Sequence, residues 1–238
     1  MSQTLHINRP GSPPGPALDG LRDAYRFLQK VVGCIALGLP LVLIAGGWLL
    51  DDHGVEGSLS AYYHTPLGGV FVGALCALGV FFLSYQHRPL DKGYRIDNWL
   101  SYVASGAALG VALFPTAEHE QAAWTVERLV SIAHVVFASV LLSTLAIFCL
   151  ALFRRSSEPD RRGQAKQRRD AIYGWCGWTI VAAIAVILLN KAFEVIPSEL
   201  NALLWLETIA VVAFGFSWLV KSEFVKFFND PPTREETS

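Results

Sequence analysis

Charge is scarce in this sequence. Asp, Glu, Lys and Arg make up 16% of its 238 residues, against 53% hydrophobic residues, and the mean hydropathy is +0.39. A soluble domain of this length is richer in charge. Cysteine is sparse too: Cys34, Cys76, Cys149 and Cys176 all fall inside apolar runs, and no CxxC occurs. That pattern argues against a disulfide framework or a cysteine metal site, and reads as four small buried apolar side chains. No Asn-x-Ser/Thr sequence is present, which fits a bacterial inner membrane. None of the six histidines forms an HExxH or HxxxH pair, so the helical metal-hydrolase signature is missing. No nucleophile elbow accompanies the serines.

What the chain does have is long apolar runs. A helix needs about 20 residues to cross a bilayer, and six runs approach or exceed that: 31–50, 67–85, 99–114, 129–153, 173–193 and 200–220. They lack the period-2 alternation of barrel strands, so helices are expected. The first run starts near residue 31 and has the length of a true span, unlike a cleavable leader. The few charges are distributed unevenly. All Lys and Arg except Arg128 and Lys191 fall before the first run, between the second and third, between the fourth and fifth, or after the sixth. By the positive-inside rule both termini are cytoplasmic. The expected fold is therefore all-α: a multi-pass bundle of six transmembrane helices over 21–228, between disordered cytoplasmic tails at 1–20 and 229–238. Residues 21–30 are amphipathic and basic, either interfacial or the first turns of helix one. The basic stretch 154–170 reads as a topology determinant beside anionic lipid, not as a nucleic-acid surface.

Small residues recur at helical spacing, as Gly69, Gly73 and Ala77, as Gly106 and Gly110, and as Ser101 and Ser105. They are expected to let helices approach within the bundle. Trp48, Trp99, Trp124, Tyr173, Trp175 and Trp218 lie near run ends and read as interfacial belts. Pro40 interrupts the first run.

Polar chemistry gathers on the outer side, and the cytoplasmic half has nothing comparable. The first external stretch, EGSLSAYYHTPLGG at 56–69, carries Ser60, Tyr62, Tyr63 and His64. It is expected to fold down as a lid, with both tyrosines buried against the helices. His134, Asn190, Lys191 and Glu207 intrude into the apolar runs. At about 1.5 Å of rise per residue, His134 lies about 8 Å and Glu207 about 10 Å below the outer boundary. Polar groups at such depth cost a few kcal/mol and tend to mark function. These four are expected to form one cluster, with Glu207 paired to Lys191 or His134, or protonated.

Three stretches carry a family resemblance. SLSAYYHTP at 58–66, GVALFPT at 110–116 and HVVFAS at 134–139 resemble the DRAM-like group of six-span membrane proteins. That group includes a eukaryotic factor linked to lipid remodelling of GPI anchors. Its members carry Ile-Ser followed by Pro in the first lumenal loop, and tend to have a His in the fourth span. The resemblance implies roles for Ser60, Pro66 and His134. The family usually has a Pro before that Ser, where this chain has Gly57-Ser58-Leu59.

The functional expectation is an outer-leaflet pocket that binds or remodels a lipid head group or small polar ligand. Its candidate residues are Ser60, Tyr62, Tyr63, His64, His134, Asn190, Lys191 and Glu207. The alternatives are a metal-dependent membrane hydrolase or acyltransferase and a small-solute transporter. Membrane lipids are the expected partners and nucleic acid is not. A homo-oligomer is compatible with the sequence, but nothing in it calls for one. No cofactor or metal ligand set can be named.

Overall fold

The computed structural model describes residues 16–50, 54–85, 94–117, 125–155 and 164–224. Among them the chain is helical throughout, with no strand. Six long helices follow one another: α1 Pro16–Leu50, α2 Gly68–Ser84, α3 Tyr94–Leu113, α4 Val126–Ile147, α5 Gln164–Phe193 and α6 Ala202–Lys221. Short 3-10 turns at Ser60–His64 and Ser198–Leu200 precede α2 and α6. Four stretches are long and apolar enough to cross a membrane: Asp23–Leu50, Val126–Leu152, Lys166–Phe193 and Ser198–Lys221. Helix α2 is apolar but only 17 residues long. Helix α3 opens on polar turns containing Arg95, Asp97 and Asn98.

Helix α1 begins well before the expected first run, so 21–30 forms its opening turns and is not a separate interfacial segment. Within it, Pro40 withholds the N–H that would bond the Ala36 carbonyl. Helix α1 packs on α6, α6 on α5, α2 on α3, and α3 on α4. Arg26 near the start of α1 pairs with Glu223 just after α6 at 2.8 Å, and the Lys30 ammonium stands 5.9 Å from the Phe224 ring. The start of the first helix and the end of the last therefore share one end of the bundle, called here the terminal end.

The two ends have different cores. At the terminal end, Phe82, Tyr85, Phe148, Phe153, Phe214 and Trp218 form one aromatic cluster with ring centroids about 5–6 Å apart, the spacing at which edge-to-face and offset contacts are favourable. Trp218 and Tyr173 are buried in this cluster, so neither belongs to an interfacial belt; Trp48, Trp99 and Trp175 do face outward, and Trp124 lies outside the described residues. Helix α4 runs into this core as a π-helical turn at Phe148–Leu152, followed by Phe153–Arg155. The turn presses Leu150 against Gly177 of α5, where any side chain would collide. At the distal end, Leu39, Leu43, Leu59, Tyr62, Leu67, Phe71 and Leu204 form the second core.

The glycines divide differently from the expectation. Gly33 and Gly215 seat α1 against α6, and Gly110 receives the Phe137 ring. Gly69, Gly73 and Gly106 have nothing within 4 Å and face outward. Spacing shows that small residues share a helix face, but not whether that face meets another helix. Cys34 is likewise exposed, whereas Cys149 and Cys176 are buried, and all four thiols are free.

Gly68 and Gly69 offer a paired test. A Cβ on Gly68 would run into the Tyr63 carbonyl, which is backbone and cannot swing away, whereas a Cβ on Gly69 meets open space. Gly68→Ala is expected to destabilise the protein by about 1–3 kcal/mol, and Gly69→Ala to be neutral or mildly stabilising. Apparent melting temperatures in detergent measure both.

Candidate functional site

Between α1 and α2 the chain makes a compact folded segment over 54–67. Gly54, at φ +91°, starts it in a conformation that favours glycine. Ser58 Oγ then accepts from the Ala61 N–H at 3.0 Å and lies 3.0 Å from Ser60 Oγ, which organises the 3-10 turn. Thr65 closes the turn: its hydroxyl donates to the Tyr62 carbonyl at 2.8 Å and accepts from the Leu67 N–H at 3.2 Å. Tyr62 is fully buried, its ring against Gly47 of α1, where a Cβ would come within 2.8 Å of it. Desolvation raises its phenol above the ordinary pKa, partly opposed by the Glu56 N–H at 3.4 Å from the oxygen. Tyr63 is only half-buried and His64 is exposed. The segment thus folds inward as expected, but through one tyrosine rather than two. Beneath it lies a hollow of only about 10 Å³, bordered by Gly47, Glu56, Tyr62 and Leu67.

Two bonds fix this segment to α6. The Leu59 N–H donates to Glu207 Oε2 at 2.8 Å, and the Leu204 N–H donates to the Gly57 carbonyl at 3.1 Å. Asn201, in the left-handed region at φ 45°, turns the chain into α6 just before these contacts. Asn tolerates that region better than most residues. Because Leu204 lies in the first turn of α6, its N–H has no partner within the helix and is available to the segment.

A second non-helical stretch, 114–117, is held in a similar way. His134 of α4 donates from Nδ1 to the Phe114 carbonyl at 2.6 Å, and His64 Nε2 donates to the Thr116 carbonyl at 2.8 Å. The Ala117 N–H donates to Ser131 Oγ at 3.2 Å. The Phe114 ring stacks on Phe137 at 5.4 Å. The stretches 58–66, 110–116 and 134–139 are therefore joined by two histidine-to-carbonyl hydrogen bonds.

The expected four-residue cluster does not form. His134, Asn190, Lys191 and Glu207 are not linked by hydrogen bonds or ion pairs: His134 bonds Phe114, Glu207 bonds Leu59, Asn190 Oδ1 accepts from the Ile196 N–H at 2.7 Å, and Lys191 is exposed. Equal depth placed these residues at one level, but their partners are backbone groups of non-helical segments, which leave no side-chain pattern in a sequence.

A much roomier concavity lies beside the segment. A groove of about 720 Å³ runs between α1 and α6, lined by Leu41, Ile44, Trp48, Val55, Trp205 and Val212 among others, with an almost wholly apolar wall. None of its lining residues was among the sequence-level candidates. The pairing of Trp48 with Trp205 was the only available signal, and it requires knowing which helices adjoin. Comparison with protein-family models, curated proteins and solved structures finds no match.

Glu207 is the side-chain anchor of the segment. Glu207→Gln keeps an acceptor oxygen for the Leu59 N–H, whereas Glu207→Leu removes it and leaves that N–H unpaired, at a cost of about 1–3 kcal/mol. The leucine variant is expected to increase thiol labelling of a cysteine placed at Ser58, which is buried in the native fold. The glutamine variant should label like wild type.

Proposed function

We propose that this chain is a six-span protein of the cell membrane, both termini cytoplasmic, that binds a lipid at its outer face. The acyl chain lies in the groove between α1 and α6, and the head group rests beside the 54–67 segment. The observation that carries this reading is the groove itself: about 720 Å³ of apolar concavity in the outer surface of two helices, flanked by Trp48 and Trp205. Binding sites for small molecules are commonly apolar concavities of several hundred Å³ with a few polar groups at one end, and tryptophans favour the level of lipid head groups. Val55 brings the folded segment to the groove, and Trp205 and Thr208 flank Glu207 in sequence, so the polar anchor and the apolar wall adjoin. The charge distribution supports the orientation, and the likeness to the DRAM-like group points towards lipid.

Two measurements test this reading. In a cysteine-free background, a cysteine at Ser58 in the Glu207→Leu variant should label from outside intact cells and one at Ser157 should not; the reverse overturns the topology. For binding, Ala45→Trp fills the groove from α1, since Ala45 lines it. Lipid co-purified per mole of protein, measured by mass spectrometry, is expected to fall roughly tenfold, which corresponds to about 1.4 kcal/mol. An unchanged lipid content in a folded Ala45→Trp protein defeats the lipid reading.

A further inference from the structure

The terminal end of the bundle, expected to be chemically plain, holds a buried carboxylate. Asp97 lies in the first turn of α3 and is 8% exposed, yet its Oδ1 has no hydrogen-bond partner among the described residues. Neutral oxygen-bearing side chains lie nearby. Tyr25 and Gln29 come from α1 and Tyr85 from the end of α2; the Tyr85 hydroxyl meets Gln29, and Asp97 is close enough to act electrostatically on both phenols. The two tyrosine rings stack at 5.1 Å, and Tyr85 packs edge-on against Trp218 at 4.8 Å, which fixes the positions of the hydroxyls. Gln29 is itself only 4% exposed.

A buried carboxylate oxygen without a partner is expensive, and native proteins supply a hydrogen bond, a counter-charge or a bound ion. The first turn of a helix favours negative charge, which suits a standing anion at this position. We propose that Asp97 is the anionic ligand of a monovalent-cation site at the cytoplasmic end of the bundle, completed by oxygens of Tyr25, Tyr85 and Gln29. Carboxylate, hydroxyl and amide oxygens are the hard ligands that alkali cations take. One carboxylate among neutral oxygens is balanced by a single positive charge; a divalent ion would leave a net charge buried. Among the described residues no three His, Cys, Asp or Glu side chains gather into a transition-metal set. The site lies at the opposite end from the groove and does not rest on the lipid reading.

Thermal unfolding of the full-length purified protein tests the proposal. Titrations with NaCl and KCl are compared with choline chloride at constant ionic strength. One of the two alkali cations is expected to raise the melting temperature saturably while choline does not, and Asp97→Asn is expected to raise the half-saturating concentration at least tenfold. Equal melting temperatures in all three salts overturn the proposal, as does an undiminished response in Asp97→Asn. Should that variant not fold, Tyr25→Phe removes one neutral ligand and keeps the charge. It must raise the half-saturating concentration about threefold, and an unchanged value overturns the proposal equally.

Discussion

Every backbone N–H and C=O in an apolar surround must find its partner inside the chain. Helices meet that demand along their length, but they end, and the chain must turn. In this protein the turns at the distal end find their partners in side chains of the helices and of one another. Glu207 accepts from the Leu59 N–H, His134 and His64 donate hydrogen bonds to the Phe114 and Thr116 carbonyls, Ser131 accepts from the Ala117 N–H, and Asn190 accepts from that of Ile196. Polar side chains that look costly within apolar runs thus stand against backbone groups that would be costly without them.

This explains which parts of the structure were legible in the sequence. The helices were legible because apolar length is a direct consequence of the bilayer's thickness. The inward folding of 56–66 was legible because two adjacent aromatic rings, Tyr62 and Tyr63, stand in a polar stretch between two apolar runs. His134 and Glu207 stood out by depth. Their partners did not, because a backbone amide has no letter of its own. Rotation about the helix axes was equally hidden: Gly69 and Gly110 look alike in sequence, yet one faces outward and the other cradles Phe137. Asp97 does not stand out in the sequence, because it sits among basic residues at the edge of a short run, where a charge reads as solvated. Only the fold brings Tyr25 and Tyr85, from two other elements, within its electrostatic reach.

The same logic relates the groove to the polar anchor. The α1–α6 contact is close at Gly33 and Gly215, where helix backbones approach, and opens towards the distal end around Pro40, Ala45 and Trp205. Contact at one end and separation at the other leave a furrow, and the 54–67 segment meets its upper edge through Val55. Glu207 therefore fixes one border of the furrow without lining it.

The pairing of α1 with α6 also bears on how the protein is made. Helix α1 has its main partner in α6, so its Gly33 surface and its Arg26 wait through the synthesis of four intervening helices before Gly215 and Glu223 arrive. Contacts so distant in sequence form late and slowly. Until then the half-built bundle presents an open apolar seam. Closing that seam is the step that turns a row of helices into a packed bundle, and a chain cut short before α6 cannot take it.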